Sequence, residues 1–105
     1  MSVATLRSFT RLPGGEYLTE GLTDLAAGRE TVPSFLLAIA AQRLAATGVP
    51  LPAALPHDPE LGLYRMLRAA HGEDAHSQFN ACLRRLASLC HALEQSSWEK
   101  FQSHS

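Results

Sequence analysis

Residues 79–93 read Phe79-Asn80-Ala81-Cys82-Leu83-Arg84-Arg85-Leu86-Ala87-Ser88-Leu89-Cys90-His91-Ala92-Leu93. Phe79, Cys82, Leu83, Leu86, Cys90 and Leu93 follow three- and four-residue steps across two heptads, the period of one apolar seam on a helix. A half-buried strand needs apolar residues at every second position, which this run lacks. The seam predicts a long final helix, capped by Asp74 and prolonged to about residue 101 by Trp98 and Phe101. Ser103-His104-Ser105 is expected to fray.

Working outward, Asp58-Pro59 reads as the cap and first position of a third helix. That helix runs to about Ala70, with Leu63, Tyr64, Leu67 and Ala70 inward, and His71-Gly72 ends it. Before it, residues 48–57 hold Pro50, Pro52 and Pro56 and predict an extended linker. At about 3.1 Å per residue it can cross the length of a helix. Val49, Leu51 and Leu55 should hold it to the core.

The second helix is expected from a Thr31 cap, with Pro33 in its first turn, to about Ala46. Phe35, Leu36, Leu37, Ile39, Ala40, Ala41, Leu44 and Ala45 cover nearly its whole circumference, so it should be buried on most sides, in a bundle centre or an oligomer interface. The first helix, about Glu16 to Ala27, sets Leu18, Leu22 and Leu25 against Glu16, Glu20 and Asp24. Gly28 and Gly48 are natural stops. Gly21 lies inside the first helix, costs about 1 kcal/mol relative to Ala, and suits a close neighbour. Residues 1–13 are ambiguous between a short helix (Val3, Leu6, Phe9 and Leu12) and a strand (Thr5, Phe9 and Thr10), and are taken as an arm that docks through Phe9. No internal repeat or strand alternation is present. The expectation is a single all-α domain over residues 1–105: a small four-helix, bundle-like fold with a Pro-rich crossing linker between its second and third helices.

Hydrophobic residues make up 46% of the 105, too many for a disordered chain, and the formal net charge is −1. A dedicated nucleic-acid binder carries a strong basic excess. The longest apolar run, Phe35 to Ala41, falls far short of the roughly 18 residues of a membrane helix. Arg7 and Arg11 have no apolar stretch behind them, so no secretory signal is read. Cys82 and Cys90, eight residues apart on one helix, stand about 12 Å apart along its axis. They cannot pair within it, because a disulfide needs Cα atoms within about 7 Å. Two free thiols suit a reducing compartment, and a cytoplasmic location is expected.

Four sets of residues carry side chains capable of chemistry. His71, Glu73 and His76 are the densest group of ligand types, and Glu73-x-x-His76 matches the spacing of di-iron bundles. Such a site needs a second motif and further carboxylates, for which Glu16 and Glu20 are available. Gly72 and Asp74 put Glu73 at a helix boundary, where the shared face breaks down, so dipole-complementing acids and exposed histidines are the plainer expectation. Arg65, Arg68, Arg84 and Arg85 form a basic set, and Gly72 stands in the turn as in a helix-turn-helix. An ordinary solvated face explains these residues too. Arg85 and His91 stand six apart, as do Arg65 and His71, and an Arg-x4-6-His spacing is similar to that of the HEPN ribonucleases. Leu86 follows Arg85 where that family has a polar residue, so no ribonuclease site is assigned. Cys82 and Cys90 lack zinc-ligand spacing and fit core positions. No catalytic residue, metal or cofactor is expected.

What remains is a non-enzymatic helical interaction or assembly module, expected to form a homodimer or bind another protein, and no nucleic acid or membrane. Its candidate surface is Phe35, Leu36, Ile39, Trp98 and Phe101. The alternatives are a nucleic-acid-binding regulator on the Arg face and a metal-dependent or hydrolytic enzyme around His71, Glu73 and His76.

Overall fold

The computed structural model describes residues 14–96; the expected arm at 1–13 and the helix prolongation through Trp98 and Phe101 lie outside the described residues. Those described are all-helical. The elements are α1 (Gly15–Ala26), α2 (Val32–Ile39), α3 (Ala41–Ala46), α4 (Pro59–His71), one 3-10 turn (Gly72–Asp74) and α5 (Ala75–Ser96). With α2 and α3 taken as one bent helix, these are the four expected helices in a bundle-like packing. α1 packs chiefly on α2, α2 on α4, and α4 on α5 across the 3-10 turn, while α3 leans on α5.

The local stops follow the sequence closely. Gly28 takes φ +74°, and the Gly28 and Arg29 N–H groups donate to the Leu25 and Asp24 carbonyls, a Schellman ending for α1. Gly48, at φ +94°, repeats the pattern after α3: the Gly48 and Val49 N–H groups donate to Ala45 and Leu44. Val49 and Leu44 are both buried, supplying the apolar contact that accompanies this motif. The Thr31 hydroxyl accepts from the Ser34 N–H at 3.2 Å, and the Ser34 hydroxyl accepts from the Thr31 N–H at 2.8 Å. This reciprocal cap starts α2 and leaves the fully buried Ser34 satisfied.

The core joins Leu18 and Leu25 of α1, Phe35, Leu36 and Leu37 of α2, Leu44 of α3, Leu63 and Leu67 of α4, and Ala75, Leu86, Leu89, Cys90 and Leu93 of α5. Two glycines set its spacing. A Cβ on Gly21 would stand 2.6 Å from Leu37 Cγ and 2.8 Å from the Pro33 carbonyl oxygen, so α1 and α2 meet as closely as the sequence suggested. A Cβ on Gly62 would stand 2.5 Å from the Phe35 ring, which packs close against α4 there.

Several expectations need correction. The second helix is not continuous: it breaks at Ala40 (φ −96°, ψ 16°), and Gln42, Arg43, Ala45 and Ala46 beyond the break are exposed. All-round burial therefore holds for the α2 half and Leu44, not for the whole stretch. Asp58 does not cap α4 with its side chain. It sits in the left-handed region (φ 51°, ψ 58°), which Asp tolerates better than most residues, and only its carbonyl joins the helix, accepting from Gly62 N–H. Asp74 lies in the 3-10 turn, where its carboxylate accepts from the Gln78 amide at 3.1 Å. The α5 seam is rotated from the expected one: Leu89 is 0% exposed and Ala75 is buried, while Phe79, Cys82 and Leu83 are only half-buried. Ala70 is exposed.

Candidate functional site

Of the expected interaction surface, Phe35 and Leu36 are in the interior, 3% and 0% exposed. The α4 backbone at Gly62 covers Phe35, so the outward patch expected of the second helix is not built from these two side chains. Ile39 remains half-buried at the end of α2; Trp98 and Phe101 lie outside the described residues.

The apolar surface sits beside Ile39 instead, and the bend creates it. Ala38, Ile39, Ala40 and Ala41 turn around the break and, with Gln42 and Arg43, line a groove of about 490 Å³ whose far wall is Leu55 of the linker. On the other side of Leu55, a second hollow of about 240 Å³ lies between the end of α1 (Leu25, Gly28, Arg29 and Glu30) and Ala54, Leu55 and Pro56. Leu55 thus forms a ridge between two depressions and is 38% exposed, not folded onto the core as Val49 is. The sequence pointed to the linker's leucines but not to this ridge. The break at Ala40 that opens the groove carries no proline or glycine to announce it.

An ion pair flanks each depression. The Arg43 guanidinium donates twice to Glu94 of α5, at 2.8 and 3.0 Å. This bond holds the Glu94 carboxyl below its ordinary range and pushes Arg43 up. It also pins the rim of the larger groove to the last described turn of α5. At the other rim, Arg29 donates to Asp24 at 3.0 Å, and the Thr31 hydroxyl donates to the other Asp24 oxygen at 2.6 Å. The Thr31 bond, then Arg29, hold the Asp24 carboxyl below its usual range.

The remaining candidates are dispersed. His71, Glu73 and His76 are all exposed around the 3-10 turn, and among the described residues no group of three or more His, Cys, Asp or Glu is arranged to hold a metal ion. Glu16 and Glu20 do not join them: Glu16 pairs with Arg85, and Glu20 is exposed. The basic set is split as well. Arg65, Arg68 and Arg84 are exposed, with no salt bridge to a described residue. Arg85 is engaged between Glu16 and the Tyr17 ring, its guanidinium carbon 5.3 Å from the ring centroid.

Tyr17 O–H also donates to Cys82 Sγ at 3.9 Å. Burial, then the neighbouring Cys82, raises the Tyr17 hydroxyl's pKa. Together these contacts fasten the start of α1 to the middle of α5. Both thiols are free; Cys90 is 1% exposed, and burial pushes it up. No helix among the described residues is long and apolar enough to cross a membrane. No protein-family model matches the chain, and neither a curated protein nor a solved structure is similar to it, so a function has to be read from these residues.

Proposed function

We propose that the chain is a non-enzymatic helical interaction module that self-associates as a homodimer across the bend between α2 and α3 and the Leu55 ridge. The observation that carries this reading is an apolar groove outside the core, walled by Ala38, Ile39, Ala41 and Leu55, beside a side chain as large as leucine left 38% exposed. Exposed apolar side chains gathered at one place offer a contact surface for a partner. A two-fold pairing covers the same patch on both copies at once. The chain is also short, and a small domain buries a limited fraction of its surface alone. The free thiols Cys82 and Cys90 suit a reducing compartment, and the cytoplasm is the location proposed.

Sedimentation velocity over a wide concentration range tests the reading. The wild type should pass from monomer to dimer. Leu55→Asp should hold the monomer value at every concentration with its helix content intact, because Leu55 stands outside the buried core cluster. A wild-type coefficient fixed at the monomer value would remove self-association.

A further inference from the structure

The outer face of α4 carries a large apolar side chain that lines neither depression. Leu61 is 46% exposed, more than Leu55. Leu61, Arg65 and Arg68 stand at i, i+4 and i+7, so they share one stripe about 10 Å long on the helix. All three are exposed, while Leu63 and Leu67 bury the opposite side of α4 in the core. Charge is unbalanced along this stripe. Arg29, Arg43 and Arg85 each meet a carboxylate of a described residue, but Arg65 and Arg68 meet none. Neither has an acid three or four positions away on α4, the spacing at which a helix neutralises its own charges. The two arginines are instead three residues apart and repel each other.

A partner that relieves both strains presents carboxylates to the guanidinium forks, which take them bidentately, and an apolar group to Leu61. A helix with acids one turn apart and an apolar residue on the same stripe does so. A nucleic-acid backbone would neutralise the arginines but leave Leu61 in water, and the chain's net charge of −1 opposes it. We propose that the outer stripe of α4 docks an acidic amphipathic helix of another protein. One apolar side chain of that helix covers Leu61, and its carboxylates pair with Arg65 and Arg68. The surface is separate from the α2–α3 bend and the Leu55 ridge, so it does not rest on self-association there.

The probes are two fluorescein-labelled, alanine-based helical peptides. Each carries one Leu with Glu four and seven residues away, one peptide for each chain direction. Fluorescence anisotropy with the intact protein at low ionic strength should show saturable binding of at least one of them. Leu61→Ser should weaken it several-fold, and an Arg65→Glu, Arg68→Glu double variant about tenfold, as expected for the loss of two exposed ion pairs. The double variant should in turn bind the same peptide with Lys in place of Glu. Amide shifts on peptide binding should centre on residues 61–68. Far-ultraviolet circular dichroism should stay unchanged in all variants, because these side chains stand outside the buried core cluster. Absence of binding by both peptides overturns the proposal. So does binding that Leu61→Ser leaves untouched, which would be general ionic attraction. Duplex DNA that binds more tightly than either peptide and needs the same arginines would assign the face to nucleic acid. A monomer–dimer equilibrium abolished by Leu61→Ser would assign it to a second copy; either result refutes the acidic helix. Loss of peptide binding with an intact dimer would sink this inference alone, and a monomeric wild type that binds the peptide would sink only the proposed self-association.

Discussion

Gly21→Ala is the sharpest probe of the packing. On an exposed helix the change is favourable by about 1 kcal/mol, because Ala is the better helix former. Here the added methyl would stand 2.6 Å from both Cγ and Cδ1 of Leu37 and 2.8 Å from the Pro33 carbonyl oxygen. Non-bonded carbons rest at about 3.5–4.0 Å, so roughly 1 Å must be opened. Leu37 is wholly buried and cannot swing into solvent, and the Pro33 oxygen is backbone in the first turn of α2. The strain therefore passes to the α1–α2 pair itself. Overpacking of a rigid site costs about 1–3 kcal/mol, and contact with backbone and a locked side chain places this one in the upper part of that range. Subtracting the propensity gain leaves a net loss of about 1–2 kcal/mol. Urea unfolding should show a lower midpoint at unchanged slope, and a thermal midpoint lower by about 4–8 °C per kcal/mol. A variant as stable as the wild type would mean that α1 and α2 are not in the close register described.

Leu86→Ala, in the core of α5, should cost about 2–5 kcal/mol in the same melts, and Leu83→Ala, half-buried, distinctly less; equal losses would contradict the observed seam. Asp24 is held below its unfolded pKa by Thr31 and Arg29, so its linkage stabilises the fold above about pH 3.9, the unfolded value, and is lost as pH falls through the lower folded value. Asp24→Asn should flatten the acid limb of the stability profile, and an unaltered limb would dismiss the clamp. A thiol reagent on the native protein should modify half-buried Cys82 well before Cys90, whose burial raises its pKa; the opposite order, followed by peptide mapping, would contradict the packing of α5.

The sequence disclosed features whose cause is local. Gly28 and Gly48 stop helices because a left-handed residue closes the last carbonyls, and the chemistry of that turn lies within six residues. Gly21 announced a close approach because nothing else explains a glycine in a helix interior. What stayed hidden depends on distant partners. Nothing around Ala40 marks a bend. Apolar count alone placed Phe35 and Leu36 on a surface, whereas the absence of a side chain at Gly62, across the linker, gives Phe35 its interior seat. Leu89 went unassigned because a three-four pattern with several apolar neighbours admits two rotations of the helix, and only its packing partners choose between them. The groove was illegible for the same reason: it joins a bend and a linker residue.

The Asp24–Thr31 clamp has a consequence for the order of folding. It spans seven residues, whereas Arg43–Glu94 closes a loop of fifty-one. Loop-closure entropy rises with that separation, so the α1–α2 hairpin can form before the bond from α3 to α5 repays its cost. Mutations in the hairpin turn should then slow refolding, and mutations of Arg43 or Glu94 should chiefly hasten unfolding. In stopped-flow chevrons, a Thr31→Ala variant with an unchanged refolding limb would place the folding nucleus elsewhere.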